Sequence, residues 1–297
     1  MGLVRRLAVT SLALQMLLVV TGTAVRVTGS GLGCPTWPRC TGGSLTNTAA
    51  LGAHGWIEFG NRMLAVVAEA VGVALVLAVR RVPHPRSWSR LALVQAAVVP
   101  LQALVGGLLV LSGLNPYILI LHFLTSFPLV YAATALVLLV RGSGARDLVL
   151  SRFGAALVGA TVVVLALGSL VTGTGPHAGD PKVARLPFNP RDLTQLHADA
   201  VYLLLGLVVA TVLLAWGTRH RRTALLLLAL VLVQGGIGYW QYLTNVPAVL
   251  VALHVAGATL VFTTAAWLQL SARRDAPLPG RSAAPTPARA PGTATAR

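Results

Sequence analysis

Three histidines, a carboxylate with a guanidinium four residues on, and two cysteines are the residues whose type and setting could do chemistry in this chain. His122, His197 and His254 each stand a turn or two inside a long apolar run. Polar side chains there are costly and are kept for function or for pairing within a bundle. One histidine on an apolar helix is usually a hydrogen-bonded packing residue, but three at equivalent depth favour a shared role. Imidazole nitrogen suits iron, and two imidazoles from facing helices can clamp a flat macrocycle against apolar side chains. Zinc would need more ligands converging on one point. His84, His177 and His220 lie in polar loops and read as solvated.

Glu58 and Arg62, four residues apart, share a helix face. A carboxylate held that way suits an oxidation passing through a cationic centre, and equally suits a structural ion pair at a helix end. Glu69 falls on the same stripe about 16 Å deeper, where a carboxyl is expected to be neutral and hydrogen bonded in a structural role, with a place in a proton path as the alternative.

The elements that must position these residues are membrane helices. With 56% hydrophobic and only 10% charged residues, the chain lacks the charged surface of a soluble domain. Apolar runs long enough to cross about 30 Å of hydrocarbon predict eight spans, near 7–26, 56–79, 91–112, 117–140, 153–173, 196–216, 223–243 and 247–270. The net charge of +16 points to topology, not to nucleic acid. Of 23 Lys and Arg, 17 fall at the N-terminus, in the 80–90, 141–152 and 219–222 loops, and in the tail, all on one face. The positive-inside rule therefore makes both termini cytoplasmic and turns the loops at 27–55, 113–116, 174–195 and 244–246 outward. Arg5 and Arg6 precede a stretch too long for a signal peptide, so it is kept as the first span. Cys34 and Cys40 share the first outward loop, a compartment that permits a disulfide; two free thiols are the alternative. Residues 275–297 carry no periodic apolar pattern and are expected to be a disordered cytoplasmic tail whose arginines touch anionic lipid.

A repeat organises the spans. Gln102-Ala-Leu-Val-Gly106 precedes His122 by the same 20 residues that separate Gln234-Gly-Gly-Ile-Gly238 from His254. Val27-Thr-Gly-Ser-Gly31 echoes Val171-Thr-Gly-Thr-Gly175. The expected fold is all-α, with two pseudo-symmetric four-helix bundles, 1–140 and 141–274. An even number of spans per half gives both the same orientation, about an axis along the membrane normal.

These residues resemble the haem A synthase family, membrane enzymes that convert haem O to haem A for cytochrome oxidase. The resemblance covers all eight spans and rests on Gly29-Ser-Gly-Leu-Gly-Cys34-Pro-Thr-Trp-Pro-Arg-Cys40, on Glu58-Phe-Gly-Asn-Arg62, and on the three histidines. It implies a bacterial plasma-membrane enzyme that oxidises a porphyrin methyl to a formyl group through hydroxylated intermediates. It implies haem b on His197 and His254, and the substrate haem O on His122 in the other half. Glu58 would be the catalytic carboxylate, with Arg62 orienting it, and Cys34 with Cys40 a redox-active or structural pair. Haem O synthase and cytochrome oxidase assembly factors would be partners, and a homo-oligomer is left open. The family's second span commonly reads Glu-x-x-His-Arg, and here Asn61 stands where that histidine belongs. Asn is a poor iron ligand, so the substrate haem would be five-coordinate or take its second ligand elsewhere; His54, seven residues earlier, is the obvious substitute but stands about 10 Å further out unless the helix start bends. Two other readings use the same histidines: a b-type electron carrier, and a parallel-repeat transporter with proton-coupling histidines.

Overall fold

A helix is the one local structure that satisfies every backbone N–H and C=O of a single apolar segment within lipid, and the apolar runs adopt it throughout. The computed structural model describes residues 1–142, 146–180 and 182–273. Its helices are α1 (Gly2–Val27), α2 (Gly52–Arg80), α3 (Arg86–Leu111), α4 (Pro116–Leu124), α5 (Ser126–Arg141), α6 (Leu148–Thr174), α7 (Pro190–Leu214), α8 (Arg221–Leu243) and α9 (Ala248–Ala272), with a short 3₁₀ turn at Ala49–Leu51. Counting α4 and α5 together, eight are long and apolar enough to cross a membrane. The tail expected to be disordered, 275–297, lies outside the described residues.

The expected fourth span is two helices, and the physical reason is local. Pro128 has no N–H to return to the Leu124 carbonyl, so the ladder loses a rung there. Just before it, the Thr125 hydroxyl donates to Leu121 O at 2.7 Å and the Ser126 hydroxyl to His122 O at 3.2 Å, competing with backbone donors. His122 thus occupies the last turn of α4, immediately before the break. Its counterpart His254 sits in α9, which runs unbroken.

Neighbour relations are the same in both halves. α1 packs on α2 and α5, and α3 on α2 and α5; in the second half α6 packs on α7 and α9, and α8 on α7 and α9. The halves meet where α9 lies along α1 and α5, and where α4 touches α6. Apolar packing is densest towards the ends of the helices that carry the chain termini. Leu150, Leu157, Val208, Leu227 and Leu268 fill that level of the second half, and Val4, Leu75, Val79, Trp88 and Leu136 that of the first. Val19, Phe127, Val130, Leu165 and Phe262 close the seam between the halves. In α7 and α8 the buried residues, Leu204 to Val212 and Ala224 to Val231, are confined to the part far from the cysteine loop. The histidines occupy the other, less filled part.

Loops cap that part. Gly31 N donates to Gly179 O at 3.1 Å, joining the first loop to the third. His177 Nε2 bonds the Val246 carbonyl at 2.8 Å, and Val246 holds a positive φ of 58° that a β-branched residue adopts only when anchored. His177 is therefore a structural clasp and not the solvated residue expected. His220 departs from expectation likewise. It is only 5% exposed, accepts from Arg219 Nε at 3.0 Å, and lies 3.3 Å from the Ser271 hydroxyl. His84 is half-buried and bridges Val82 O and Ser89 Oγ.

Candidate functional site

Each intramembrane histidine lies where a facing helix has a glycine. A Cβ on Gly168 would stand 3.0 Å from His197 Cε1, and one on Gly106 or Gly238 would stand 3.4 Å from His122 or His254 Cε1. Any larger residue would crowd the ring, so these glycines let the Cε1 edge of each imidazole sit close against a neighbouring helix.

In the second half the two histidines converge. The ring centroids of His197 and His254 are 6.4 Å apart, with planes at 68°. His197 Nδ1 is 3.1 Å from the Val164 carbonyl of α6. A carbonyl only accepts, so that nitrogen carries the proton and Nε2 presents a lone pair. This is the backbone anchoring by which proteins orient metal-binding imidazoles. An imidazole nitrogen about 2 Å from a metal on each side puts ring centres roughly 6 Å apart, so the observed separation fits one iron between the two rings. His254 Nδ1 has no hydrogen-bond partner among the described residues. Nor do those residues contain a group of three or more His, Cys, Asp or Glu able to hold a metal.

The first half is different. His122 lies against Gly106, and its Nδ1 is unpartnered among the described residues. Its carbonyl, freed by the break after Leu124, accepts from Gln102 Nε2 at 3.4 Å, and Gln102 Oε1 accepts from Thr125 at 3.2 Å. Asn61 Oδ1 accepts from Thr21 of α1 at 2.7 Å. Asn61 therefore faces α1 as His197 faces α6. His54 does not replace it. It lies about 10 Å further along α2, is exposed, and has its Nδ1 2.9 Å from the Ser30 hydroxyl.

Glu58 and Arg62 are paired at 2.5 Å and together grip the cysteine loop. Glu58 Oε2 accepts from Cys34 N at 2.7 Å; Arg62 donates to Cys34 O at 2.9 Å, Thr36 O at 3.0 Å and Arg39 O at 3.3 Å. Both carboxylate oxygens thus have donors, and the buried charge is compensated. Cys34 and Cys40 are joined in a disulfide. Between them Trp37 lies across α3, where a Cβ on Gly107 would come within 2.4 Å of the indole. The loop forms a lid over the first half, tied down by Glu58, Arg62 and Trp37. Glu69, expected to be hydrogen bonded, is not. Its Oε2 has no partner among the described residues, and its side chain lines a groove of about 340 Å³ with Val73, Val76, Arg80 and Leu93. Thr21, Ser30 and the Val164 carbonyl escaped the sequence reading. Their contacts join different helices, and spacing along the chain carries no sign of them.

A family model described as COX15-CtaA, cytochrome oxidase assembly protein, matches residues 5–179. A relative named Heme A synthase from Bacillus cereus strain G9842 is 29% identical over 271 residues, covering 85% of this chain and 82% of that protein. Proteins of the same name from Bacillus licheniformis and Oceanobacillus iheyensis are 33% identical over 134 residues and 31% identical over 114. Those shorter matches span 43% and 36% of the relatives' lengths. With more than half its length matched by that model, the chain belongs to the COX15-CtaA family of cytochrome oxidase assembly proteins.

Proposed function

We propose that the chain is a haem A synthase that oxidises a methyl group of haem O to the formyl group of haem A. The observation that carries this reading is the His197 and His254 pair, spaced for one iron, in a member of a family whose relatives are named Heme A synthase. The second half, 141–274, would hold haem b on those two histidines. The first, 1–140, would take haem O on His122. Bound haem supplies an iron that passes electrons singly and so carries them away from the substrate.

The remaining work falls to side chains. His197, fixed by Val164, presents Nε2 without further reorganisation. Glu58 places a compensated carboxylate beneath the lid, where it can stabilise positive charge developing at the porphyrin edge better than water can. Arg62 holds that carboxylate and the loop in one geometry, and the disulfide closes the loop; each two-electron oxidation of the methyl carbon would take its oxygen from water and release two protons, with both electrons passing to an external acceptor. The cysteine-loop side would face outward and both termini inward, in keeping with the basic residues of the terminal side. A b-type electron carrier would be expected to use like ligands in both halves, and Asn61, facing α1 as His197 faces α6, argues against that symmetry. The test is to express the chain with a source of haem O and analyse extracted haems by mass. Hydroxylated haem and haem A are expected, and unchanged haem O would refute the reading.

A further inference from the structure

Arg26 is a half-buried cation that this account does not use. It stands in the last turn of α1, its Nε is buried without a partner, and among the described residues its guanidinium makes no hydrogen bond or ion pair. A guanidinium has five donors, and leaving them unmet away from water is costly. Its stem runs beside Gly179, where a Cβ would be 3.7 Å from Arg26 Cγ. The acid next in the chain, Asp180, turns Oδ1 to the Lys182 amide at 2.8 Å and not to Arg26.

The face on which Arg26 sits is an interior one. Ser11, Gln15, Gly22 and Arg26 follow one another at helical spacing. Ser11 bonds Gln95 across the bundle at 2.6 Å, Gln15 is buried, and Gly22, one turn before Arg26, has no atom within 4 Å of where a Cβ would be. Open space within the first bundle therefore begins at Gly22 and has Arg26 at its rim. The repeat supplies an independent sign. Arg26-Val-Thr-Gly-Ser-Gly31 corresponds to Leu170-Val-Thr-Gly-Thr-Gly175, so the charge belongs to the first half alone.

We propose that Arg26 binds a carboxylate on the edge of the porphyrin taken by the first half, and so selects and orients that ligand. The inference rests on the haem reading of that half. A planar guanidinium fork matches a carboxylate with two parallel hydrogen bonds, and burial strengthens both. A lipid phosphate would present similar chemistry, so the test must separate the two.

The full-length protein, isolated with its second-half haem in place, is reconstituted in zwitterionic phosphatidylcholine nanodiscs. Iron protoporphyrin IX or its dimethyl ester is then titrated in and followed by difference absorbance. The free acid is expected to bind about ten- to a hundred-fold more tightly than the ester. Arg26→Gln should erase that preference and Arg26→Lys keep part of it. Undiminished preference in Arg26→Gln, or equal binding of acid and ester by the parent protein, overturns the assignment while leaving the haem site standing. Equal binding together with loss of affinity in phosphatidylglycerol discs assigns Arg26 to lipid and overturns it too. Failure of the parent protein to bind either compound refutes the first-half haem site and the inference with it. If Arg26→Gln loses the second-half haem spectrum through misfolding, the acid and ester comparison on the parent and Arg26→Lys decides.

Discussion

At the scale of single residues, two imidazoles and one carboxylate divide the work. On the proposed ligation, His197→Ala or His254→Ala would remove one of two axial nitrogens, so low-spin haem in the second half should fall below about a tenth of the parent content. Absorbance of the purified variants checks this, and a normal six-coordinate spectrum in both would exclude the pair as ligands. Glu58→Gln keeps the shape and an acceptor for the Cys34 amide but removes the negative charge that pairs with Arg62. We expect haem b to be retained and haem A to drop about a hundredfold or more. Haem A made at the parent rate would reduce Glu58 to a clamp for the loop. The histidines, Glu58, Arg62 and the unusual Asn61 were legible in the sequence because charge and polarity are rare in these spans. The isolation of Arg26 was not. An arginine near a helix end reads as an interfacial residue until the tertiary fold shows that no acid among the described residues comes to meet it.

At the scale of elements, the spans were legible to within a few residues, and their errors have local causes. Arg5 and Arg6 continue α1 beyond the apolar run, and the break at Thr125 depends on side-chain hydrogen bonds that hydropathy does not register. The cysteine lid is an element in its own right. Cys34→Ser should cost about 2 kcal/mol of loop order, given the short segment the disulfide closes. Hydrogen exchange at 33–41 should then accelerate at least tenfold while the helices stay protected; unchanged exchange would show that Glu58, Arg62 and Trp37 suffice. On the terminal side, burial holds His220 below the usual imidazole range, Arg219 adds to that, and Asp147 opposes it. Because Arg219 donates to Nε2, the fold demands the neutral ring. Its contribution is therefore complete above about pH 6.5 and is lost as the pH falls below that. The parent should lose more thermal stability between pH 7 and pH 5 than His220→Gln does, by about a degree or two. Parallel melting curves for the two proteins would contradict this.

At the scale of the whole molecule, two halves with the same neighbour relations carry unequal sites. The second has paired histidines 6.4 Å apart. The first has one histidine, an asparagine in place of the other, a carboxylate under a disulfide-closed lid, and an unpaired arginine at its rim. That inequality is what an enzyme with one permanent and one transient haem requires, and an electron carrier does not. The repeat was visible in the sequence through Gln, Gly and His at one offset, whereas the convergence of His197 with His254 emerges only when α6, α7 and α9 pack together. The most direct test is electron paramagnetic resonance of the oxidised protein isolated with haem O supplied, read with haem content per chain. The account predicts one low-spin signal from paired imidazoles and a second haem lacking that signature. Two equivalent low-spin haems, or none, would contradict it.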